Sequence, residues 1–367
     1  MLSRLPVELL RLIIREAAPL EYRSSTYKDR RSTLRSLCLV DKRCWAVAEP
    51  MLDEVLRLEA STDANDDEQR EFKLAGAHAH HLTRIQVLAL ASRGYLSGLT
   101  LPASILSCTS LSLLDIGGAD VRLGELASLP SLRRLITWDC CIEIDPFRPL
   151  KHLEEFSLVF SDVHCRTHTV ATVFTPAYLP ALRSLVPCSG GAPGGARADL
   201  SPRSFKDHLL VFGVFLDDVW QYSREDLQLD AVVVLAALDE PFILSLSSLP
   251  ANLAVLISRS EGADGRCWSP SNAKNALVTL LSSLQHLHSA GSTRLHTLSL
   301  PRALLDPPFS TFDGLSEARE RIIKQCEEWK VVVLDGDDCL DIDSCMPEAF
   351  MEYRREVKAR EDVSVGE

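Results

Sequence analysis

Leu111-Ser112-Leu113-Leu114-Asp115-Ile116, Leu132-Arg133-Arg134-Leu135-Ile136-Thr137 and Leu153-Glu154-Glu155-Phe156-Ser157-Leu158 are copies of one short pattern set 21 residues apart. Each reads apolar-x-x-apolar-x-apolar, although Thr137 puts a polar side chain in the third place. The last two positions alternate along an extended chain, so both point to one side. A single strand cannot bury that side by itself. A stack of such strands can, because each neighbour covers the next.

The pattern recurs on both sides of these copies. It appears as Ile85, Leu88, Leu90; as Leu182, Leu185 with Pro187 third; as Leu229, Val232, Val234; as Leu253, Leu256 with Ser258 third; as Leu295, Leu298, Leu300; and as Trp329, Val332, Leu334. Successive starts lie 26, 21, 21 and 29 residues apart, then 47, 24, 42 and 34. The gaps of 47 and 42 are each about two units long, so a degenerate unit is expected in each. Between the strand patterns, Leu277, Leu280, Leu281, Leu284 and Leu287 fall at helical spacing, as do Leu315, Ala318, Ile322 and Cys326.

Units of this length with this strand signature resemble leucine-rich repeats. The Asn usual after the third apolar position is mostly missing, and Cys140 is the one good substitute. The resemblance implies an irregular leucine-rich-repeat solenoid over residues 82–345, α/β in class, with parallel strands inside and helices outside. Gly190, Gly191, Gly194 and Gly195 lie among prolines at 187–203, which reads as a flexible insert. Residues 346–367 read as a charged C-terminal tail that begins as an exposed helix.

The first residues follow a different rule. Leu5, Leu9, Leu12, Ile13 and Ala17 make one helical face, which Leu10 and Ile14 widen. Pro6 suits a first turn and Pro19 ends the helix. Glu21–Ser32 is polar and predicts a loop. A second short helix runs through Leu34, Leu37 and Cys38, and Asp41 is placed to cap a third that carries Cys44, Trp45 and Ala48. Leu5-Pro6-x-Glu8-Leu9-Leu10, Leu37-x-Leu39-Val40-x-Lys42 and Ala48-x-Pro50-x-Leu52 together resemble an F-box, the last part in the form common among fungal members. The resemblance implies a small three-helix F-box at residues 1–58 that binds a Skp-type adaptor and, through it, cullin. It implies adaptor contacts at Leu5, Pro6, Leu9, Leu10, Ile13, Leu37, Val40, Trp45 and Leu52, some of which must serve the module's own core. Two features depart from the family pattern. The first interhelical segment is longer, and the expected aromatic falls at Trp45, one place after Cys44. Residues 59–81 read as a charged connector and helix.

The net charge is -12, and residues 1–60 carry +2 of it against -14 for the remainder. An acidic body argues against nucleic acid as a partner, since phosphate binding needs clustered Lys and Arg. Eleven cysteines without a secretory leader point to reduced thiols and a cytoplasmic or nuclear setting. The longest apolar run, Ala231 to Leu238, is far below the roughly 20 residues that span a bilayer, so no membrane partner is expected.

Few residues invite chemistry. His78-Ala79-His80-His81 and His164-Cys165-Arg166-Thr167-His168 lack the paired spacing of a zinc site, and the chain contains no Cys-x-x-Cys. Asp335, Asp337, Asp338, Asp341 and Asp343 miss the Gly and Glu positions of a calcium loop. No nucleophile elbow, zincin helix or dinucleotide loop appears. The chain is therefore expected to use no metal or cofactor and to be non-catalytic. The F-box resemblance then implies the substrate-recognition subunit of an SCF-type ubiquitin ligase. Its unknown protein target would sit on strand residues that alternate with the inward pair, among them Asp115, Arg134, Trp138, Glu155 and Arg259. The alternatives are a repeat scaffold outside ubiquitin transfer and a soluble α/β enzyme without a local motif.

Overall fold

A computed structural model describes residues 5–20, 24–60, 79–92, 101, 103–159, 161–187, 202–205, 207–214, 232, 234–237, 249, 252–258, 270–291, 294–305 and 314–335. These residues fall into two compact units, one ending at Ala181 and the other beginning at Leu182. The insert expected at 187–203 lies largely outside the described residues, as does the tail at 346–367.

The first unit opens with helices α1 (Val7–Ala17), α2 (Ser24–Cys38) and α3 (Lys42–Leu52). Leu10, Ile14 and Ala18 meet Leu34 of α2 and Cys44, Val47, Ala48 and Met51 of α3 in one closed core. Pro6 stands at the N-cap of α1, one place before the first turn, and its carbonyl accepts the Leu10 N–H. Asp41 caps α3 as the sequence predicts, its Oδ1 accepting from the N–H groups of Arg43 and Cys44 at 2.8 Å each.

The loop expected at 21–32 is corrected. From Ser24 onward this segment is helical, and α2 is 15 residues long. Tyr27, Arg30, Leu34 and Leu37 recur at helical spacing, and the stripe was hidden because its second member is an arginine. Arg30 is buried and tied to Glu54, so it behaves as a core residue despite its charge.

Strands β1 (Val55–Ala60), β2 (Val87–Ser92), β3 (Leu113–Gly117), β5 (Arg134–Trp138) and β7 (Glu155–Val159) form a parallel sheet in which each pairs with the next named. The register sets Leu88, Leu114, Leu135 and Phe156 in one row and Leu90, Ile116, Thr137 and Leu158 in the next, all buried. A second parallel sheet of three short strands runs beside the turns: β4 (Asp120–Arg122), β6 (Cys141–Glu143) and β8 (Asp162–His164). Short helices α4 (Ala79–Leu82), α5 (Leu123–Leu126) and α6 (Val170–Val173) complete the unit.

The repeat shows most plainly in the backbone. The carbonyl of Glu54 accepts the N–H groups of Gln86 and Val87, that of Gln86 those of Ser112 and Leu113, that of Ser112 those of Arg133 and Arg134, and that of Arg133 those of Glu154 and Glu155. One forked contact thus recurs at the entries of β2, β3, β5 and β7. Gly118 and Asp139, equivalent in register, both take positive φ at the turn out of the strand. The position after that turn is Ala119, Cys140, Ser161 in successive units. Cys140 Sγ donates to the Trp138 carbonyl at 3.2 Å, and Ser161 Oγ donates to Thr137 Oγ1 at 3.1 Å. Thr137 Oγ1 in turn donates to the Ser157 carbonyl at 3.1 Å, which satisfies the one polar member of the core rows.

The second unit repeats the plan with β9 (Ser184–Pro187), β10 (Val211–Val214), β11 (Val234–Ala237), β12 (Val255–Ser258), β13 (Thr297–Leu300) and β14 (Val332–Asp335), parallel and paired in that order. Arg183 and Ala254 offer the same forked carbonyl, to Leu210 and Val211 and to His296 and Thr297. Helices α7 (Pro270–Ser289), α8 (Arg302–Leu305) and α9 (Leu315–Glu328) lie between strands. Ala273, Leu277, Leu280, Leu284 and Leu287 of α7 are buried, as are Leu315, Ala318, Ile322 and Cys326 of α9.

The repeat count needs two corrections, and one expectation holds. A unit precedes Ile85, since β1 is in register with β2. The gap of 47 does hold a further strand, β10, with Leu209 and Phe212 buried. The gap of 42 does not: β12 pairs directly with β13, and the extra length includes α7. Two patterns were also out of phase. Leu235 and not Val232 aligns with Leu256, and Val333 and not Val332 aligns with Leu298. Both lie in unbroken apolar runs, where no polar residue fixes which side faces inward.

Candidate functional site

Of the thirteen large apolar side chains exposed among the described residues, eight lie between Val7 and Trp45. They are Val7, Leu9, Leu12 and Ile13 on α1, Leu20 just beyond it, Leu39 and Val40 in the α2–α3 turn, and Trp45 on α3. Leu39 is 87% exposed, Val40 57% and Trp45 53%. Monomeric proteins scatter such side chains singly, so a concentration in one small module is a candidate docking surface.

The local geometry explains why these side chains stay outside. Leu10 and Ile14, four apart on α1, already fill the module's core, so Leu9, Leu12 and Ile13 must emerge on the other flank. The Asp41 cap fixes the start of α3 and turns Cys44 inward, which sends Trp45 out. Cys44 thus belongs to the core, and Trp45, one place later, stands on the surface.

The adaptor contacts suggested by the sequence divide by burial. Leu9, Ile13, Val40, Trp45 and Pro6 are exposed, and Leu5 is half-buried. Leu10 is fully buried, while Leu37 and Leu52 pack against the core and contribute mainly inward. Leu12 and Leu39 are exposed beside them, although the sequence reading places Leu12 only on the same apolar face as Leu9 and Ile13, and Leu39 only within a motif.

On the sheet, Asp115, Arg134 and Trp138 fall on the face opposite the core rows and are half-buried. Arg134 and Glu155 are register partners joined by an ion pair. Glu155 is only 3% exposed, so the open face expected there does not extend to it. Ser157 and Ile136 on the same face are buried as well. At the near end of that face, Val55, Val87 and Leu113 pack with Tyr27 of α2, so the helices cover the first strands. Arg259 lies outside the described residues.

The histidine groups make ordinary contacts. His81 Nδ1 lies 2.5 Å from Asp53 Oδ2, and His168 meets the edge of the Phe147 ring. His164 Nδ1 is 3.7 Å from Cys141 Sγ, whose thiol burial and nearby Asp120, Asp162 and Glu143 push up in pKa. Among the described residues no three His, Cys, Asp or Glu side chains are grouped to hold a metal ion. None of the described helices is long and apolar enough to cross a membrane.

No family model and no curated protein matches the chain. Among solved structures it is similar to an internalin from Listeria monocytogenes str. 4b F2365, at 13% sequence identity and a TM-score of 0.33, covering 88% of this chain and 91% of that one. So distant a likeness bears no weight, and the repeat architecture stands on the register and the forked carbonyls.

Proposed function

We propose that this chain is a non-catalytic recruiter: the substrate-recognition subunit of an SCF-type ubiquitin ligase, built as an F-box joined to leucine-rich repeats. The observation that carries the reading is the set of exposed apolar side chains on α1, α3 and the turn before α3, in a module whose own core is already closed without them. Leu9, Leu12, Ile13, Leu39, Val40 and Trp45 dock the Skp-type adaptor, and Trp45 is the residue type most enriched at binding hot spots. The strand array presents a target protein, with Asp115, Arg134 and Trp138 as its polar and aromatic contacts. No bond chemistry is needed from the chain itself. Holding a target beside a charged ubiquitin carrier raises its effective concentration.

Reconstitution from purified components tests this. The full chain is expected to form a stable complex with a Skp-type adaptor and to bring cullin with it. Failure to bind the adaptor rejects the reading. Adaptor binding without cullin favours a scaffold outside ubiquitin transfer.

A further inference from the structure

Among the described residues beyond the helical module, Phe147 is the most exposed large apolar side chain, at 81%. It stands in the turn Asp145-Pro146-Phe147-Arg148, just after β6. The Asp145 carbonyl accepts the Arg148 N–H at 3.1 Å, and Asp145 Oδ1 accepts the Phe147 N–H at 3.0 Å. Pro146 stiffens the turn from within, and Pro149 follows it. A ring this exposed contributes little to the core. Its backbone is nevertheless held before any partner arrives, which leaves little conformational entropy to lose on binding.

The segment after β8 lies beside this turn. The Ile144 N–H donates to the His164 carbonyl, and the His168 ring meets the Phe147 ring edge to face at 6.3 Å. No Asp or Glu occurs from Pro146 to Leu153 or from Val163 to Arg183, in a chain of net charge -12. Arg148, Lys151 and Arg166 are exposed there. Two carboxylates border the patch, and each sits deeper than its cation. The Arg148 side chain is 65% exposed over Asp145 at 40%, and that of Arg166 is 69% exposed over Glu143 at 21%. Ion pairs this exposed are weak, so both guanidinium groups can take a carboxylate from outside.

We infer that Phe147, Arg148, Lys151 and Arg166 form a second protein-binding surface, whose occupant is an acidic protein segment. A large apolar residue of that segment packs on the Phe147 ring, and Asp or Glu on either side of it meet the cations. Aromatic side chains and Arg are the types enriched at interfaces, and Arg clusters recognise acidic motifs. Duplex nucleic acid fits poorly, because so few cations in an acidic protein make too few phosphate contacts. The surface uses no residue of the helical module, so the inference stands whether or not the chain binds an adaptor.

Peptide selection on the full-length chain tests it. A phage-displayed library of random short peptides is selected on the immobilised protein. The most enriched peptide is then made with a fluorophore and titrated by anisotropy. It should carry Asp and Glu around a large apolar residue. It should bind about tenfold or more weakly to Phe147→Ser, and likewise to Arg148→Ser with Arg166→Ser. Added salt should weaken its binding to the parent. These side chains are exposed, so the variants should keep the parent's unfolding curve. If Phe147→Ser fails to fold, Phe147→Ala read for the same peptide takes its place. No enrichment, enriched peptides without acidic residues, or binding that either variant leaves unchanged overturns the inference. So does self-association of the chain that Phe147→Ser abolishes, or a labelled DNA duplex that binds as tightly as the peptide.

Discussion

Arg30 and Glu54 form a buried ion pair, Nη2 to Oε2 at 3.3 Å, that fastens α2 to the residue before β1. Arg30 Nε also donates to the Pro19 carbonyl at 2.9 Å, and Arg15 reaches Glu54 from α1 at 3.7 Å. Burial lowers the pKa of the Arg30 guanidinium against the opposing pull of Glu54. It raises that of the Glu54 carboxyl against the opposing pull of Arg15 and Arg30. The helices are thus pinned to the first strand by charges that are costly to separate.

Arg30→Met leaves Glu54 buried with its ion pair to the half-exposed Arg15 and without its buried partner. A buried pair broken on one side costs about 3 kcal/mol or more. Urea unfolding of the full chain should show that loss, and Arg30→Met with Glu54→Leu should recover most of it. A single variant as stable as the parent would contradict the account.

Asp41 gives a dependence on acid. Hydrogen bonds from the Cys44 and Arg43 N–H groups hold its carboxyl below the ordinary value of 3.8. A depressed carboxyl contributes stability above that value, and the contribution is lost as pH falls through the folded one. The melting temperature of the parent should exceed that of Asp41→Ala near neutral pH, and the difference should close in acid. A difference that does not change with pH would show that the carboxylate is not the cap.

Gly124 of α5 is fixed by crowding. A Cβ there would lie 2.7 Å from Asp145 Cβ, with no flexible chain end to yield. Gly124→Ala should cost about 1–3 kcal/mol, measured by chemical denaturation. The double variant with Asp145→Gly should relieve part of it.

Thiol chemistry reports the core. Burial pushes the pKa values of Cys108, Cys140 and Cys326 up to about 11. At neutral pH these thiols are protonated and shielded, so alkylation should reach them only on unfolding. Half-exposed Cys165 should label in the native chain. Early modification of Cys140 would mean that the ladder of Thr137, Cys140 and Ser161 is not closed.

The repeat was legible wherever polar residues set its phase. Asp115 between Leu114 and Ile116, and Ser157 between Phe156 and Leu158, leave only one inward choice. Phase was lost at Val232–Leu235 and Val331–Leu334, where every residue is apolar. The long α2 was hidden because Arg30 looks like a surface residue until its partner, 24 positions away, is known. The three-residue strands of the second sheet are too short to carry a period. At the candidate docking site, the residues to choose from were visible in the sequence. Their division into core and surface was not, because Leu9 and Leu10 differ only in the direction they take from α1.

The central claim is that the exposed apolar side chains of the helical module dock a Skp-type adaptor, and calorimetric titration tests it most directly. Adaptor is titrated into the full chain and into Leu9→Asp with Val40→Asp. Both substitutions lie on exposed positions, so the folded core is left in place. The parent should bind, and the double variant should bind at least about 100-fold more weakly, a loss of roughly 2.7 kcal/mol, with an unchanged unfolding curve. Equal binding by the two chains, or no binding by the parent, would contradict it.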